Sequence, residues 1–542
     1  MKSRGAIRDY ALIGALMAAG LLIRLRGLEG WYFSPDEAMV IDFASLASAK
    51  EFLTIVPGSG HPPLFFLMVR LLTRWSLDPV FLRSISLLTG IAMVPVFFAL
   101  GRKACGEAAG MAMAFLATFG AGATLMSSLL RPYSLEVLLI SSALYFLLDG
   151  LKRDRPPTLL LYLLFMTLAI WVHYSALIIF GATSATWIFK LALDRSPLKK
   201  WLGALGCHLP TLATLAAMYY FFLRGAMGSD NQSRALEGWL KPYFASGAGS
   251  LLKNLIMTFD FCIGWPSPYL LGLAAAIGLI FLYQKYSREA ATLSIMALGL
   301  ALVMNVMKLS PLGATRHSYY LFPVLSLLIG SACQYCLEFF RLRAADSRGR
   351  RSPWPTVSLV LSPEAMIVAI MIASIPPLVG CLENPDYYRT RDQMARWEFS
   401  LTSQDHAQAM AVLTNRIPPG AVALTDSSTS LYLTLGSQSW TLPPDFPRVV
   451  KLAVEGRIYE VSALWTFFPE GLAKQLSDIE VSPNLNADSI YVFNMGDSAE
   501  GLRQSLSRLG QDGLAYDYLL DRSDTVVCII RLRRENGPAV GP

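Results

Sequence analysis

Long apolar runs recur along the first two thirds of the chain and then stop. A run of about 20 apolar residues has the length that an α-helix needs to cross the hydrocarbon core of a bilayer, and the sequence contains about eleven candidates. The runs cover 10–26, 80–101, 108–128, 133–150, 158–173, 175–192, 201–222, 266–284, 290–308, 318–340 and 363–381. The pattern predicts a polytopic α-helical membrane domain over 1–381 and a separate domain over 382–542.

Hydropathy alone does not show whether one apolar stretch, 61–75, crosses the membrane. It reads HPPLFFLMVRLLTRW, and it is short, begins with a proline pair and contains Arg70 and Arg74. If this stretch crossed the membrane, the basic clusters that follow would lie outside, against the excess of Lys and Arg in cytoplasmic loops. If it lies in the interface as an amphipathic helix, all of these clusters lie inside. The clusters are Arg102/Lys103, Lys152/Arg153/Arg155, Lys199/Lys200, Lys285/Arg288 and Arg341 to Arg351.

The interfacial placement predicts the sidedness of the chain. The N-terminus is cytoplasmic, a first outer loop over 27–79 carries juxtamembrane helices, a second outer loop covers 223–265, and 382–542 lies outside. We therefore expect a multi-pass protein of the inner (plasma) membrane with a periplasmic or other extracytoplasmic C-terminal domain. The first apolar run follows basic residues, as in a signal peptide, but it lacks a clear small-residue cleavage site and is expected to remain as the first helix.

The segment after Cys381 has turn-rich composition with short β-patterned runs. The runs are AVALTDSS at 421–428, SIYVFNM at 489–495 and TVVCIIRLR at 525–533, and helical patterns at 402–416 and 499–509 come between them. This alternation predicts a small α/β domain. The segment contains neither a GxGxxG fingerprint nor a P-loop, which argues against nucleotide binding of those kinds. We expect the domain to be a cap over a membrane site or a docking surface.

Composition supports a lipid environment and excludes some partners. Hydrophobic residues make up 54% of the chain and charged residues only 16%, whereas a soluble domain carries about 25% charged residues. The net charge of +7 comes from basic residues in the short loops between apolar runs, so we expect no nucleic-acid partner. Cys333 and Cys336 form a CxxC without a second ligand pair nearby, so we expect helix packing rather than a structural zinc site.

An acidic pair, Asp36 and Glu37, follows the first span in the segment WYFSPDEAM. Ser34 and Pro35 fit the N-cap and first residue of a helix, and acids in a first turn complement the helix dipole, so a purely structural role explains both acids. Alternatively, a carboxylate just above the bilayer accepts a proton from an acceptor hydroxyl. Both interpretations stay open at this stage.

Further polar residues recur at the predicted outer ends of the spans. Each can be an interfacial anchor or a turn residue, and each can also contact a lipid phosphate. The set comprises His61, Arg83, Arg131, Tyr133, His173, Tyr174, Arg316, His317 and Tyr320. Arg316 is the hardest to explain structurally, because a guanidinium at the mouth of a span suits a phosphate. Their placement at one level predicts a shared polar cavity.

Several motifs occur in an order that resembles membrane glycosyltransferases of the GT-C fold. They are WYFSPDEAM, HPPL, FLRSISLLTG, RPYSLEVLL, WVHYSALIIF and ATRHSYYLFPVLSLL. The series is most similar to the superfamily of protein O-mannosyltransferases and lipid A aminoarabinose transferases, and it covers most of residues 1–340. Even PPGAVALTDS in the C-terminal segment is similar to the aminoarabinose enzymes.

The resemblance implies a role for particular residues. In that family the acidic pair of the first loop is the essential catalytic element, which implies Asp36 with Glu37 beside it. The family's Lys-Pro or His-Pro motif falls on His61 and implies a phosphate contact, although the aminoarabinose enzymes have lysine there. Its late Arg-Tyr pair, ahead of a proline-containing span, falls on Arg316 with Tyr319 or Tyr320. The aminoarabinose enzymes also have two further spans that this pattern lacks.

Together with the resemblance, these observations predict transfer of a glycosyl group from a polyprenyl-phosphate sugar donor to a glycan, lipid or protein acceptor. The transfer takes place at the outer face of the membrane and inverts the configuration of the anomeric carbon. No cofactor is required, and a divalent metal is possible beside Asp36 and Glu37. The alternatives are a transporter or flippase for lipid-linked glycans and a non-catalytic assembly subunit. The absence of an internal repeat, and polar residues at one face rather than at the midplane, argue against a transporter.

Overall fold

The computed structural model describes residues 2–26, 28, 34–44, 52, 61–76, 78–153, 155–224, 240–264, 267–349 and 379–380, together with six strands between 422 and 534. The chain divides into two compact units. The helical unit comprises Met1–Glu29, Val56–Phe65 and Arg83–Met394. The sheet unit comprises Gly30–Ile55, Phe66–Leu82 and Ala395–Pro542.

Helices account for nearly all of the described residues before Gly349. In chain order they are α1 (Lys2–Arg26), α2 (Pro35–Ala44), α3 (Pro63–Thr73), α4 (Pro79–Ala104), α5 (Glu107–Phe119), α6 (Ala121–Ser128), α7 (Tyr133–Arg153), α8 (Pro156–Val172), α9 (Ala176–Leu193), α10 (Leu198–Met218), α11 (Ala248–Cys262), α12 (Pro268–Phe281), α13 (Arg288–Val306) and α14 (Phe322–Gly349). Single π-helical turns extend α10 over Tyr219–Leu223 and α12 over Leu282–Tyr286, and short 3₁₀ helices cover Lys241–Tyr243 and Arg316–Leu321.

Several of these helices have the length and composition of membrane spans. In the part of the chain that the structure describes, seven helical segments qualify, or eight if the bent pair α5–α6 counts as one span. The shorter helix α8 has 17 apolar-rich residues. The chain is therefore a multi-pass membrane protein. Every predicted run from 10–26 to 318–340 is helical over nearly all of its length, whereas 363–381 lies almost wholly outside the described residues.

The third predicted run, 108–128, is not the single helix that its apolar pattern predicted. α5 and α6 meet at Gly120 with a bend of 48°. The fully buried guanidinium of Arg24 donates to the carbonyl oxygens at the end of α5, 2.9 Å from Ala117 O and 3.1 Å from Thr118 O. These bonds satisfy carbonyl groups that the break leaves without helical partners, and a cation complements this end of the helix dipole. Hydropathy missed the break because the stabilising residue lies on α1.

Small residues let the helices of the helical unit approach one another closely. Gly278 on α12 faces the backbone of Leu328 on α14, and Gly110 on α5 faces the carbonyl oxygen of Phe98 on α4. A methyl group at either glycine would overlap those backbone atoms. Such contacts hold membrane helices together because apolar burial alone gives little advantage in lipid.

The ambiguous stretch 61–75 forms the short helix α3. It has 11 residues, and at about 1.5 Å per residue it covers little more than half of a hydrocarbon core of about 30 Å. This length agrees with the prediction that the stretch does not cross the membrane by itself. Within the sheet unit, Arg70 Nη1 donates to Ala44 O at 3.1 Å, and the rings of Phe43 and Phe66 make an edge contact.

The sheet unit contains a six-stranded mixed sheet with the order β2-β3-β1-β4-β6-β5. The strands are β1 (Val422–Asp426), β2 (Val450–Val454), β3 (Arg457–Leu464), β4 (Ile490–Met495), β5 (Leu514–Asp521) and β6 (Val527–Arg534). The central strand β1 pairs in parallel with β3 and β4, and the remaining pairs are antiparallel. The sequence predicted β1, β4 and β6 and missed the other strands. The predicted helices at 402–416 and 499–509 lie outside the described residues.

Cys333 and Cys336 lie on α14 with exposed, unoxidised thiols. The expectation that they pack between helices was therefore wrong. Their spacing of three residues places both side chains on one exposed side of this helix.

Candidate active site

The acidic pair lies in the first turn of α2, in the sheet unit. The Glu37 carboxylate is buried and Oε2 accepts a hydrogen bond from the Ser34 N–H at 3.0 Å, while the Glu37 N–H donates to Ser34 Oγ at 3.4 Å. This reciprocal pair is a capping box, in which the side chains satisfy amide groups at the helix start. The structural interpretation therefore accounts for Glu37. Asp36 precedes it with a partly exposed side chain.

Four ring side chains form a cluster in the helical unit. His61, Tyr133, His173 and His317 are here called the ring cluster. Ring centroids are 5.0 Å apart for Tyr133 and His173, 5.6 Å for His61 and His173, and 6.3 Å for Tyr133 and His317. The Arg131 guanidinium lies 5.7 Å from the centre of the Tyr133 ring. The structure thus brings together five residues from four separate places in the sequence.

The cluster forms where several helices begin or end. Tyr133 is the first residue of α7, directly after Pro132, and His173 follows the last residue of α8 with an extended backbone at φ −157°. His317 belongs to the 3₁₀ helix before α14, and Thr315 Oγ1 accepts from its N–H at 3.4 Å. Because α7 and α8 follow one another as packed antiparallel helices, the start of one and the end of the other lie at the same level.

Sequence analysis missed the carboxylate beside this cluster. Glu136 lies in the first turn of α7 and is fully buried. Its Oε1 accepts from Ser175 Oγ at 2.5 Å, its Oε2 lies 3.4 Å from His173 Nδ1, and Ser175 Oγ lies 2.7 Å from the same nitrogen. The available signal was an acid inside the apolar run SLEVLL, because an ionisable group in a span is costly and marks a functional site by default.

The segment that carries Arg316 is held by its own hydrogen bonds. Gly313 has φ +137°, a conformation that other residues adopt only with strain, and its N–H donates to Ser318 Oγ at 3.0 Å. The buried Asn305 amide at the end of α13 donates to Ser310 O at 3.1 Å. Arg316 itself is only 5% exposed. This turn therefore presents a guanidinium on rigid backbone.

The other predicted site residues are also at helix ends. Arg83, in the second turn of α4, is fully buried, and Tyr320 in the 3₁₀ helix is 1% exposed. Tyr174 directly follows His173 and is partly buried. Burial raises the pKa of the Tyr174 hydroxyl to about 12, so this phenol stays protonated at neutral pH.

Among the residues that the structure describes, no group of three or more His, Cys, Asp or Glu side chains has the arrangement of a metal site. The Glu37 carboxylate is engaged in the capping box. Asp36 and Glu37 alone make a poor cage for a hard cation, which takes six or more oxygen ligands.

No protein-family model matches the chain, and no curated protein matches it. Solved structures do. The chain superposes on ArnT from Cupriavidus metallidurans bound to undecaprenyl phosphate with a TM-score of 0.53 at 12% identity, covering 98% of this chain and 99% of that chain. The apo form of ArnT gives the same TM-score and identity, covering 96% of this chain and 98% of that chain. The chain has a GT-C fold. An oligosaccharyltransferase from Archaeoglobus fulgidus, tethered with an acceptor peptide, matches with a TM-score of 0.44 at 12% identity over 89% of this chain and 69% of that chain.

The motifs that resemble GT-C enzymes lie mostly in residues 1–340. The ArnT superposition covers nearly the whole chain, at low identity. An identity of 12% preserves the arrangement of helices and not the identity of individual side chains. The roles of the side chains are therefore argued from their own contacts.

Proposed function

We propose that this chain transfers a glycosyl group from a polyprenyl-phosphate-linked donor to an acceptor at the outer face of the membrane. The observation that carries the proposal is the concentration of basic side chains in and around the ring cluster. Arg131 is 3% exposed and lies against Tyr133, while His61, His173 and His317 contribute imidazoles. A guanidinium and several imidazoles fixed at helix ends suit the charge and the hydrogen-bond acceptors of a lipid phosphate.

The proposed reaction is a displacement at the anomeric carbon. The bond from this carbon to the phosphate oxygen breaks, the electron pair leaves with the polyprenyl phosphate, and the acceptor oxygen attacks from the opposite face. Donors fixed in advance stabilise the developing phosphate charge, a task for which Arg131, Arg316 and His61 are suited. Arg83, Tyr133, His173, Tyr174, His317 and Tyr320 complete the proposed donor site. Asp36 is the proposed base for the acceptor, with Glu37 beside it.

The fold supports this choice of donor. ArnT, whose fold this chain shares, was crystallised with undecaprenyl phosphate. In our proposal the chain uses a donor of the same class, requires no cofactor, and acts on a glycan, lipid or protein acceptor. The proposed arrangement has about eleven spans in 1–381, the N-terminus inside, the outer loop 27–79, and an α/β domain over 382–542 outside the inner membrane.

Purified protein should release free polyprenyl phosphate from at least one member of a panel of polyprenyl-phosphate-linked sugars. Release should depend on the acceptor and increase in proportion to the protein. Mass spectrometry of the extracted lipids measures the leaving group directly. Reconstituted vesicles with the donor in one leaflet provide the control, because a flippase would move the intact donor between leaflets without release. Movement without release would contradict the proposed transfer.

Reporter fusions after Arg102 and after Asn384 should lie on opposite sides of the membrane. The first joint follows a basic helix end that the positive-inside rule places in the cytoplasm, and the second begins the proposed outer domain. An alkaline phosphatase and a cytoplasmic fluorescent protein, fused in turn at both positions, give complementary signals. The same side for both joints would overturn the proposed sidedness.

A further inference from the structure

Glu136, Ser175 and His173 form a polar network that helix packing alone does not require. A fully buried carboxylate in the first turn of a span is costly. Glu136 Oε1 accepts from Ser175 Oγ, and Glu136 Oε2 lies 3.4 Å from His173 Nδ1. The network joins α7 to the turn between α8 and α9, and it lies at the edge of the ring cluster. His173 belongs to both, because it also contacts the rings of His61 and Tyr133.

The backbone of Ser175 determines which ring nitrogen of His173 carries the hydrogen. The Ser175 N–H donates to His173 Nδ1 at 3.3 Å, so Nδ1 is an acceptor. The Ser175 hydroxyl donates to Glu136 Oε1 at 2.5 Å, and its oxygen lies 2.7 Å from the same Nδ1. With Nδ1 as the acceptor, the ring hydrogen lies on Nε2.

Nε2 is therefore the ring nitrogen of His173 that can bind a ligand. Among the described residues, His173 Nε2 has no hydrogen-bond partner, whereas Nδ1 has two oxygens nearby. The groups that face this ring are His61, Tyr133 and Glu136, with Arg131 on the Tyr133 ring. An imidazole whose Nδ1 accepts a hydrogen bond presents an N–H donor at Nε2.

We propose that Glu136 and Ser175 are positioning residues that hold His173 with its Nε2–H directed at the phosphate of the polyprenyl donor. This inference rests on the proposed function and names residues that support the donor site without touching the donor. Glu136 fixes Ser175 and Ser175 fixes the imidazole ring, so the ring is a preorganised hydrogen-bond donor for the leaving phosphate.

The test uses the full chain in lipid nanodiscs and undecaprenyl phosphate as the probe. Glu136→Gln keeps the size and removes the charge, and we expect it to weaken binding of undecaprenyl phosphate roughly tenfold, the size of one charge-assisted hydrogen bond. Ser175→Ala, which removes only the bridging hydroxyl, should weaken binding in the same direction and less. In transfer assays the KM for the donor should rise with little change in kcat.

A double-variant cycle separates positioning from general structural support. If Glu136 acts through His173, then Glu136→Gln combined with His173→Gln should bind the probe no more weakly than His173→Gln alone. Glu289→Gln is the matched control, because this acid pairs with Lys190 at 3.0 Å on α9 and α13, away from the ring cluster. It should leave probe binding unchanged, and thermal unfolding should show all variants folded.

The outcomes are distinct. Wild-type affinity in Glu136→Gln, or full additivity in the double variant, would overturn this inference while leaving the proposed function intact. Absence of probe binding by the wild-type chain would instead overturn the proposed function and this inference with it. If Glu136→Gln does not fold, Ser175→Ala with His173→Gln forms the same cycle, and additivity there has the same meaning.

Discussion

Asp36→Asn should lower the turnover number by roughly 10²-fold or more while leaving folding nearly intact. Asparagine still fits a helix start, so losing the dipole-complementing charge costs at most about 1 kcal/mol. If the carboxylate orients or deprotonates the acceptor, its removal acts on the chemical step instead. The measurement is single-turnover transfer with saturating donor, on protein shown to be inserted and, by thermal unfolding, to be folded.

The capping box provides a matched control for this experiment. Glu37→Gln preserves the oxygen that accepts from the Ser34 N–H, and glutamine is a normal residue at this capping position. We therefore expect Glu37→Gln to retain most of the stability and most of the activity. Turnover of Asp36→Asn within a few-fold of wild type would remove Asp36 from the reaction, and a large loss in Glu37→Gln would make Glu37 the catalytic base instead.

Arg316→Ala should reduce kcat/KM for the lipid donor by about 10²-fold, and Arg316→Lys by about tenfold. Lysine keeps the charge but loses the planar fork that binds two phosphate oxygens at once. The rigid turn around Gly313 should hold the backbone of both variants in place, because its hydrogen bonds to Ser318 and Thr258 do not involve the Arg316 side chain. Initial rates at varied donor concentration measure the effect.

Arg288→Ala is the control for the arginine variants. Arg288 is exposed, begins α13 and lies 5.9 Å from the Tyr283 ring, at the opposite end of the helix that leads to the Arg316 turn. Its removal should leave donor use unchanged. Equal kcat/KM for Arg316→Ala and wild type would show that Arg316 does not bind the donor. Binding of the donor's phosphate would then depend on Arg131 and the histidines.

The resemblance to GT-C enzymes was visible in the order of short motifs, and the superposition on ArnT agrees with it. The ring cluster was partly visible as well. RPY, HY and RH each occur where an apolar run begins or ends, so each residue could be placed near one membrane level before the helices were assembled. That His61, Tyr133, His173 and His317 touch one another depends on which helices are neighbours, and hydropathy carries no information about that.

Three structural features could not be predicted from the pattern of apolar and polar residues. Glu136 is an isolated acid in an apolar run of the sequence, and only the folded chain brings Ser175 to donate to its Oε1 and His173 Nδ1 to within 3.4 Å of its Oε2. The break at Gly120 depends on Arg24, which lies 94 residues before Thr118. The pairing of β5 with β6 shifts register between Tyr518 and Leu520, which interrupts the alternation by which strands are recognised.

The sequence by itself determined the positions of the long apolar helices, the short helix α3 and the capped start of α2, because these follow from local rules. A backbone in lipid must satisfy its own hydrogen bonds, so apolar length predicts helices. Only the tertiary structure decided how polar side chains divide between structure and chemistry. It assigned Arg24 to a helix break, and it placed Glu136 beside Ser175 and His173. Each of these assignments depends on which donor and acceptor come within hydrogen-bond distance, and for residues far apart in the chain packing alone sets that distance.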